Sequence, residues 1–403
     1  MIKSPTLTRN FRILWFGSLI TDLGNAMTLP FIALYIQTLG TFTTAQLNFL
    51  GAAAFGVTYA CKALVAPLWG RLADQKGRKL MCLRASGMMS LTILGVGLAP
   101  NVAVLLLLRA LQGVFSGYIN NANALLSLTV PAQRRGQLLS KLVTGAISGS
   151  LLGPLLGSGL AATVGYRGAF IVTSFLMALV FGLTLWGVTE EVTPISRAAL
   201  PPLRPVLRQL GAPFLLALFS SLLVIQATTN AITPLLSLFV AELERGAPTQ
   251  TVLWMTGLIA AAPGIATILM AGWVGQLIDR FGAQRCLLVF LSGAGLDLLL
   301  TSWAQSPLQV FVLRLLLGVA DAALLPALQV ITVEHVPRAT FGRVFSLNQS
   351  AQATGNVVGP GLAVVVANQW GYQPIFLVTA LLELGVVLLW WHYLRRSRGR
   401  AEG

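Results

Sequence analysis

The sequence predicts an all-α membrane protein of twelve spanning helices, arranged as two similar six-helix halves. Three observations predict it. Apolar residues make up 56% of the 403 positions and charged residues only 10%, whereas a soluble domain carries roughly 25% charged residues. The apolar runs are about 20 residues or longer, the length of a spanning helix; barrel strands are about ten residues and alternate. The second half also repeats motifs of the first at a nearly constant offset. A surface so poor in charge faces lipid, where only helices or closed barrels satisfy the backbone.

Spans are expected near 11–37, 48–70, 80–99, 102–127, 137–162, 166–188, 212–240, 251–274, 285–303, 307–332, 342–367 and 372–394. The stretch 189–211 is rich in Pro and Arg (Pro194, Pro201, Pro202, Pro205; Arg197, Arg204, Arg208). It reads as a cytoplasmic linker between an N-terminal bundle, 1–188, and a C-terminal bundle, 212–403, that ends in a short basic tail. The first apolar run is too long for a signal-peptide core and reads as an uncleaved span.

The net charge of +15 reports orientation rather than nucleic-acid binding. With both termini cytoplasmic, the inner segments collect Lys3, Arg9 and Arg12; Arg71, Lys76, Arg78, Lys79 and Arg84; Arg134, Arg135 and Lys141; Arg280 and Arg285; Arg338 and Arg343; and Arg395 to Arg400, together with the linker arginines. The outer loops hold only Arg167 and Arg245. That asymmetry is the positive-inside pattern, and an odd number of spans would scramble it. Cys61, Cys82 and Cys286 have no metal-ligand spacing, so neither a disulfide nor a metal site is expected.

The repeat is ordered. Gly70-x-Leu72-x-Asp74-x-x-Gly77 recurs as Gly275-x-Leu277-x-Asp279-x-x-Gly282, and Arg109-x-x-x-Gly113 as Arg314-x-x-x-Gly318, both offset by 205. Gly149-x-x-x-Gly153-Pro154 recurs as Gly355-x-x-x-Gly359-Pro360, and Gly165-Tyr166 as Gly371-Tyr372, offset by 206. The halves therefore run in the same orientation, as in transporters built from repeats with a site near the bilayer midplane.

These motifs resemble the major facilitator superfamily across essentially the whole chain. Gly70-Arg71-Leu72-Ala73-Asp74-Gln75-Lys76-Gly77-Arg78-Lys79 fits its signature between spans two and three, with Gln75 where Arg is usual. Within the superfamily the chain resembles the twelve-span drug:proton antiporters. That likeness rests on Gly24 with Pro30 in span one, on Arg109-Ala110-Leu111-Gln112-Gly113 in span four, and on Gly149 to Ser158 in span five, where Ser158 replaces a usual Gly. The resemblance implies the major facilitator fold, multidrug export without a cofactor, and a conformational latch of Gly70, Asp74, Gly77, Arg78 and Asp279 that closes the cytoplasmic side. For the cations of this loop the plain alternative is topology.

In span five, Gly145, Gly149, Gly153 and Gly157 share one face and admit a close helix neighbour, while Pro154 favours a bend. Two readings stay open: tight packing, or a sliding contact between the halves. Charged residues inside spans are Asp22, Lys62, Arg109, Asp297, Arg314, Asp321 and Glu383, each costing about 2.5–3.5 kcal/mol at the centre of the bilayer unless paired or wet. Asp22 and Arg109 both count to the midplane. Apolar surroundings favour a protonated carboxyl and a nearby guanidinium favours a charged one, so Asp22 is expected to carry the coupled proton and Arg109 to tune it; a static pair is the alternative. Asp321 is either a second proton or cation site or a partner of Arg314. Asp297 and Glu383 are expected to be structural, and Lys62 has no evident partner. Candidate cavity residues are Asn25, Tyr35, Tyr118, Asn120, Asn123, Gln226, Asn230, Asn348, Gln349 and Gln352, with helix–helix hydrogen bonding as the alternative for each.

The expected activity is proton-coupled export of lipophilic or amphipathic compounds, cations favoured. The alternatives are a single-metabolite transporter, such as one for a sugar or lipid precursor, and, remotely, an intramembrane enzyme. The two histidines, His335 and His392, have no catalytic spacing. No phosphate-binding loop of the form G-x-x-x-x-G-K-[ST] is present, so the proton gradient is the expected energy source. One proton falling through ~100 mV and one pH unit yields about 3.7 kcal/mol, a gradient of roughly 500-fold. A monomer in a bacterial cytoplasmic membrane is expected, with no nucleic-acid partner.

Overall fold

A computed structural model describes residues 5–129, 132–190, 208, 211–336 and 341–401. The chain runs through α1 (Pro5–Met27), α2 (Ile32–Gln37), α3 (Thr44–Lys76), α4 (Arg78–Gly97), α5 (Val102–Phe115), α6 (Tyr118–Thr129) and α7 (Ala132–Gly187). It continues through α8 (Ala212–Ala231), a 3-10 turn (Thr233–Leu235), α9 (Leu236–Leu243), α10 (Thr249–Phe281), α11 (Ala283–Thr301), α12 (Pro307–His335), α13 (Phe341–Trp370) and α14 (Gln373–Ala401). No strand occurs among the described residues.

Nine stretches among the described residues are long and apolar enough to cross a membrane. The difference from the twelve expected lies at three places. Spans five and six form one stretch, Thr144–Gly187, broken by the non-helical Gly165 at φ 77. Spans one and eleven are not among the nine, and these are the spans that carry Asp22 and Asn25, and the amides 348, 349, 352 and 356.

Three predicted spans are interrupted. Span one breaks between α1 and α2 around Pro30, and span seven breaks at the turn holding Pro234. Proline removes the backbone donor that would continue the helix. The two prolines are 204 apart, so the breaks belong to the repeat. Span four breaks between α5 and α6 at Ser116 and Gly117, the latter at φ 120. There Arg84 donates to the Ser116 carbonyl at 2.9 Å, Trp69 Nε1 donates to the Val114 carbonyl at 2.7 Å, and the Arg84 guanidinium lies 3.7 Å from the Trp69 ring centroid. Arg84 is thus more than an orientation signal: it answers carbonyls that the break leaves without helical donors.

Span three begins with a cap the sequence did not reveal. The Glu190 carboxylate accepts from the backbone N–H of Arg78 at 2.8 Å and of Lys79 at 2.6 Å. Asn10 and Thr189 exchange side-chain and backbone hydrogen bonds at 2.8 and 3.1 Å. The start of α1, the end of α7 and the start of α4 are therefore tied together. A carboxylate on two free N–H groups at a helix N-terminus is worth roughly 1–2 kcal/mol. Glu190→Ala is expected to lower the apparent thermal unfolding midpoint of the purified protein, whereas an unchanged midpoint would show the cap to be energetically idle. Apart from 189, 190, 208 and 211, the predicted linker lies outside the described residues.

Each half is held by glycines that press one helix onto the backbone of another. A Cβ on Gly145, Gly149, Gly153 or Gly157 of α7 would meet the carbonyl oxygens of Trp15, Leu19, Leu23 or Met27 on α1. In the second half, Gly355 and Gly359 of α13 sit in the same way against Leu223 and Ala227 of α8. Gly113 meets Thr58 and Gly318 meets Pro263, again 205 apart. The glycine face of span five is therefore a packing face within one half, and of the two readings left open tight packing is the one these contacts make in this conformation.

Candidate functional site

The contact between halves lies on the neighbouring face of span five and along α3. Helix α7 packs on α10, and α3 packs on α13. On the first seam, a Cβ on Gly257 would meet Ser158 Cβ at 2.7 Å and the Pro154 carbonyl at 3.1 Å, Gly159 faces the Trp254 ring, and Gly264 faces Leu151. On the second, Asn48 Nδ2 donates to Asn368 Oδ1 at 2.8 Å and Tyr372 Oη donates to Asn48 Oδ1 at 2.9 Å. Gly51 meets the Pro234 carbonyl close by.

These contacts occupy one end of the molecule: the start of α3, the end of α13 and the first half of α10. At the other end, where both chain termini lie, the motif glycines Gly70 and Gly275, with Gly272, meet nothing within 4 Å, and Asp279 is exposed. Among the described residues, the contacts that join the halves thus lie at the end away from the termini, and none is made at Gly70, Gly272 or Gly275. The expected latch of Gly70, Asp74, Gly77, Arg78 and Asp279 is not engaged at Gly70 or Asp279 in this conformation; the Asp74 side chain lies outside the described residues. Gly77, at φ 92, makes the turn between α3 and α4.

Asn48 is the pin of the closed end, bonded to two partners on the opposite half and 1% exposed. Each such bond contributes about 0.5–1.5 kcal/mol. Asn48→Ala is expected to lower the closed-end population by roughly 5- to 150-fold relative to the open one. Spin labels at Thr44 and Gln369 would read this as a new, longer distance. An unchanged distance distribution would exclude the clasp as a determinant of the closed end.

Within the cleft, Asp22 on α1 is half-buried, and its electrostatic partners are Lys62 on α3 and the amide of Asn25. Lys62 is exposed and lies within the field of Asp22. Tyr59, one turn before Lys62, lies within the fields of both Asp22 and Arg109. Arg109 does not act on Asp22 directly. It is 3% exposed, donating from Nε to the Ala54 carbonyl at 3.1 Å and from NH1 to Gln112 Oε1 at 2.9 Å. The cation whose field reaches Asp22 is therefore Lys62, the one that sequence reasoning left without a partner, although among the described residues no ion pair within 4.0 Å joins them. Lys62 lies on a different span from Asp22, and no local spacing links the two.

The second half places Asp321 on α12, half-buried and in the field of Arg314. Asp297 on α11 and Glu383 on α14 are buried nearby.

The cavity candidates divide. Asn25 adjoins Asp22; Asn120 and Gln349 are exposed, and Asn123 and Gln352 are half-buried. Tyr35 is not in the cleft: it is fully buried, donates to the carbonyls of Val96 and Gly97 at 2.9 and 3.1 Å, and packs on Tyr166 and Phe170. Tyr118 is likewise internal, with its hydroxyl 3.0 Å from that of Thr184 and its ring against Gly17. Gln226 and Asn230 on α8 both donate to Asn356 Oδ1, at 3.4 and 2.8 Å, and Asn348 bonds Thr332 at 3.4 Å. Asn356 was missed, although 348, 352 and 356 recur every four residues and so share a helix face.

Comparison with known proteins agrees with this architecture. The family model of the Major Facilitator Superfamily matches residues 14–296 and 255–403. The chain is 39% identical over 391 residues to proteins named multidrug resistance protein MdtG from Escherichia coli strains, among them SMS-3-5 / SECEC, covering 97% of this chain and 95% of the relative. Its fold matches a bacterial homologue of the human lysosomal transporter Spinster, solved inward-facing and unoccupied, with a TM-score of 0.78 at 14% identity over 98% of each chain. It also matches a D-xylose-proton symporter, with a TM-score of 0.77 at 16% identity over 95% of this chain and 97% of that one. At such identities these two likenesses concern the fold alone. Helices long and apolar enough to cross a membrane several times, a duplicated architecture, and a match to the family model along its length lead to one conclusion: the chain belongs to the Major Facilitator Superfamily.

Proposed function

We propose that this protein is a proton-coupled exporter of drugs and other lipophilic or amphipathic compounds, working by alternating access between an N-terminal bundle, 1–188, and a C-terminal bundle, 212–403. It is a transporter, not an enzyme. The observation that carries the reading is a carboxyl, Asp22, and a cation, Lys62, acting on each other within the spans of one half, while the described contacts between the halves lie at one end. The name of the E. coli relatives, multidrug resistance protein, supports the substrate class.

In this mechanism the cleft faces the cytoplasm, with both termini on that side. Before substrate binds, Asp22 holds a proton. A lipophilic cation entering the cleft joins Lys62 in compensating the carboxylate, and Asp22 gives up its proton on the cytoplasmic side. The halves then part along the Asn48–Asn368–Tyr372 clasp and the Gly257–Ser158 seam, and the motif of Gly70, Asp74, Gly77 and Arg78 closes the cytoplasmic end. On the outside Asp22 takes up a proton and releases the substrate. The proton gradient drives the cycle without a cofactor, and a monomer in a bacterial cytoplasmic membrane suffices.

Inverted membrane vesicles, made acidic inside and followed with a pH-sensitive dye, test the reading. Addition of a lipophilic cation or neutral drug is expected to release protons from the lumen. Absence of a response to every compound, with the protein present in the membrane, would contradict drug export and favour a single metabolite.

A further inference from the structure

Three carboxyls lie within each other's fields in the second half, Asp297 on α11, Asp321 on α12 and Glu383 on α14, and the Arg314 guanidinium on α12 acts on the first two. Asp297 is 7% exposed, and both of its carboxyl oxygens are buried without a hydrogen-bond partner. Glu383 is 2% exposed; its Oε1 accepts from Thr228 Oγ1 on α8 at 2.7 Å, and its Oε2 is buried without a partner. Arg314 Nε is also buried and unpartnered. Among the described residues no ion pair within 4.0 Å joins Arg314 to any of the three acids. No group of three or more possible metal ligands occurs among those residues either.

The fold does not require these acids. At the repeat offsets of 205 and 206, Asp297, Asp321 and Glu383 correspond to Thr92, Ser116 and Met177 of the first half. The correspondence holds in the packing. Met177 reaches Gly24, whose counterpart at offset 204 is Thr228, the donor to Glu383. A thioether against a glycine fills in the first half the place that a carboxyl against a hydroxyl fills in the second.

We infer that Asp297 and Glu383 form a second proton-binding site, distinct from Asp22, and that both hold protons in this conformation. One guanidinium balances one carboxylate, and Asp321, the acid that is half-buried, takes that place. A buried carboxyl with no cation within ion-pair distance takes up a proton rather than remain charged. With two protons on the buried pair the cluster is neutral, and each unpartnered oxygen becomes one end of a neutral acid. Counting about 1.5 Å per residue, Asp297 lies ~6 Å from the outer end of α11, Arg314 ~10 Å and Asp321 ~21 Å from the outer end of α12. The groups thus form a ladder from the outer third of the bundle to the cleft. Loss of a proton from Asp297 draws Arg314 outward and leaves Asp321 free at the cleft for a proton or a cationic substrate. This inference rests on the proton-coupled reading above and adds a second proton to its cycle.

The test is pH-titrated difference infrared spectroscopy of the purified protein in lipid nanodiscs, read in the region of the protonated carboxyl stretch. In the Asp22→Asn background two buried protonated carboxyls are expected at neutral pH, and adding Asp297→Asn or Glu383→Gln is in each case expected to remove one of them. Both amides mimic the protonated form, so both variants are expected to fold. Thr228→Val removes only the hydroxyl on Glu383 and is expected to shift one band without abolishing it. Spectra unchanged in all three cluster variants overturn the inference. If the amide variants do not fold, the Thr228→Val shift alone decides, and its absence overturns the inference. Retained proton-driven export in Asp22→Asn would fell the role of Asp22 and leave the infrared result standing, so the two claims fail separately.

Discussion

Replacing Asp22 by Asn is expected to abolish drug accumulation against a gradient while leaving substrate exchange down its own gradient intact. The amide keeps the size of the carboxyl and its contact with Asn25, but it can neither release a proton nor balance Lys62. The coupled energy, about 3.7 kcal/mol per proton at ~100 mV and one pH unit, would no longer reach the substrate. A roughly 500-fold capacity for uphill transport would collapse to none. Vesicle accumulation and counterflow, measured side by side, separate the two processes. Loss of both would indicate a damaged cleft, and retention of both would remove Asp22 from coupling. Lys62→Met provides the complement: it leaves Asp22 without its cation and is expected to alter the pH dependence of transport more than its maximal rate.

The second large effect concerns two kinds of glycine. Gly149→Ala would drive a methyl group into the Leu19 carbonyl and toward the Leu23 N–H of α1. That contact lies within one half, and no motion of the transport cycle relieves it. Overpacking of this kind costs on the order of 3 kcal/mol, so the expected outcome is a large loss of folded protein by size-exclusion profile and yield. Gly257→Ala meets Ser158 and Pro154 across the seam, and parting of the halves relieves that clash. The protein is therefore expected to fold normally with its conformational balance moved away from the closure at the Asn48 end. Equal loss of folded protein in both variants would contradict the division between packing face and seam.

Much of this architecture could be read from the sequence. The duplicated glycines and arginines at offsets of 205 and 206 appear as matching contacts, down to Gly113 on Thr58 and Gly318 on Pro263. The break at Pro234 was visible in principle, since Pro30 has the same place in the first half. What could not be read were facts of three-dimensional neighbourhood. Four-residue glycine spacing shows that a helix is approached closely, but not by which helix, and so Gly145 to Gly157 were open to two readings. Asp22 and Arg109 both count to the midplane, yet Arg109 turns to the Ala54 carbonyl and Gln112, leaving Lys62 for Asp22. Tyr35 and Tyr118 have the composition of cavity residues, but they spend their hydroxyls on the backbone of Val96 and Gly97 and on Thr184. Glu190 caps a helix that begins 112 positions earlier, a distance no local capping signal spans.

The central claim is that substrate and proton exclude each other at Asp22. The most direct test is to count protons released when a lipophilic cation binds to the purified protein in weakly buffered solution, with no membrane and no gradient. Wild type is expected to release about one proton more per bound ligand than Asp22→Asn. Equal release from the two proteins, with ligand bound to both, would contradict the account.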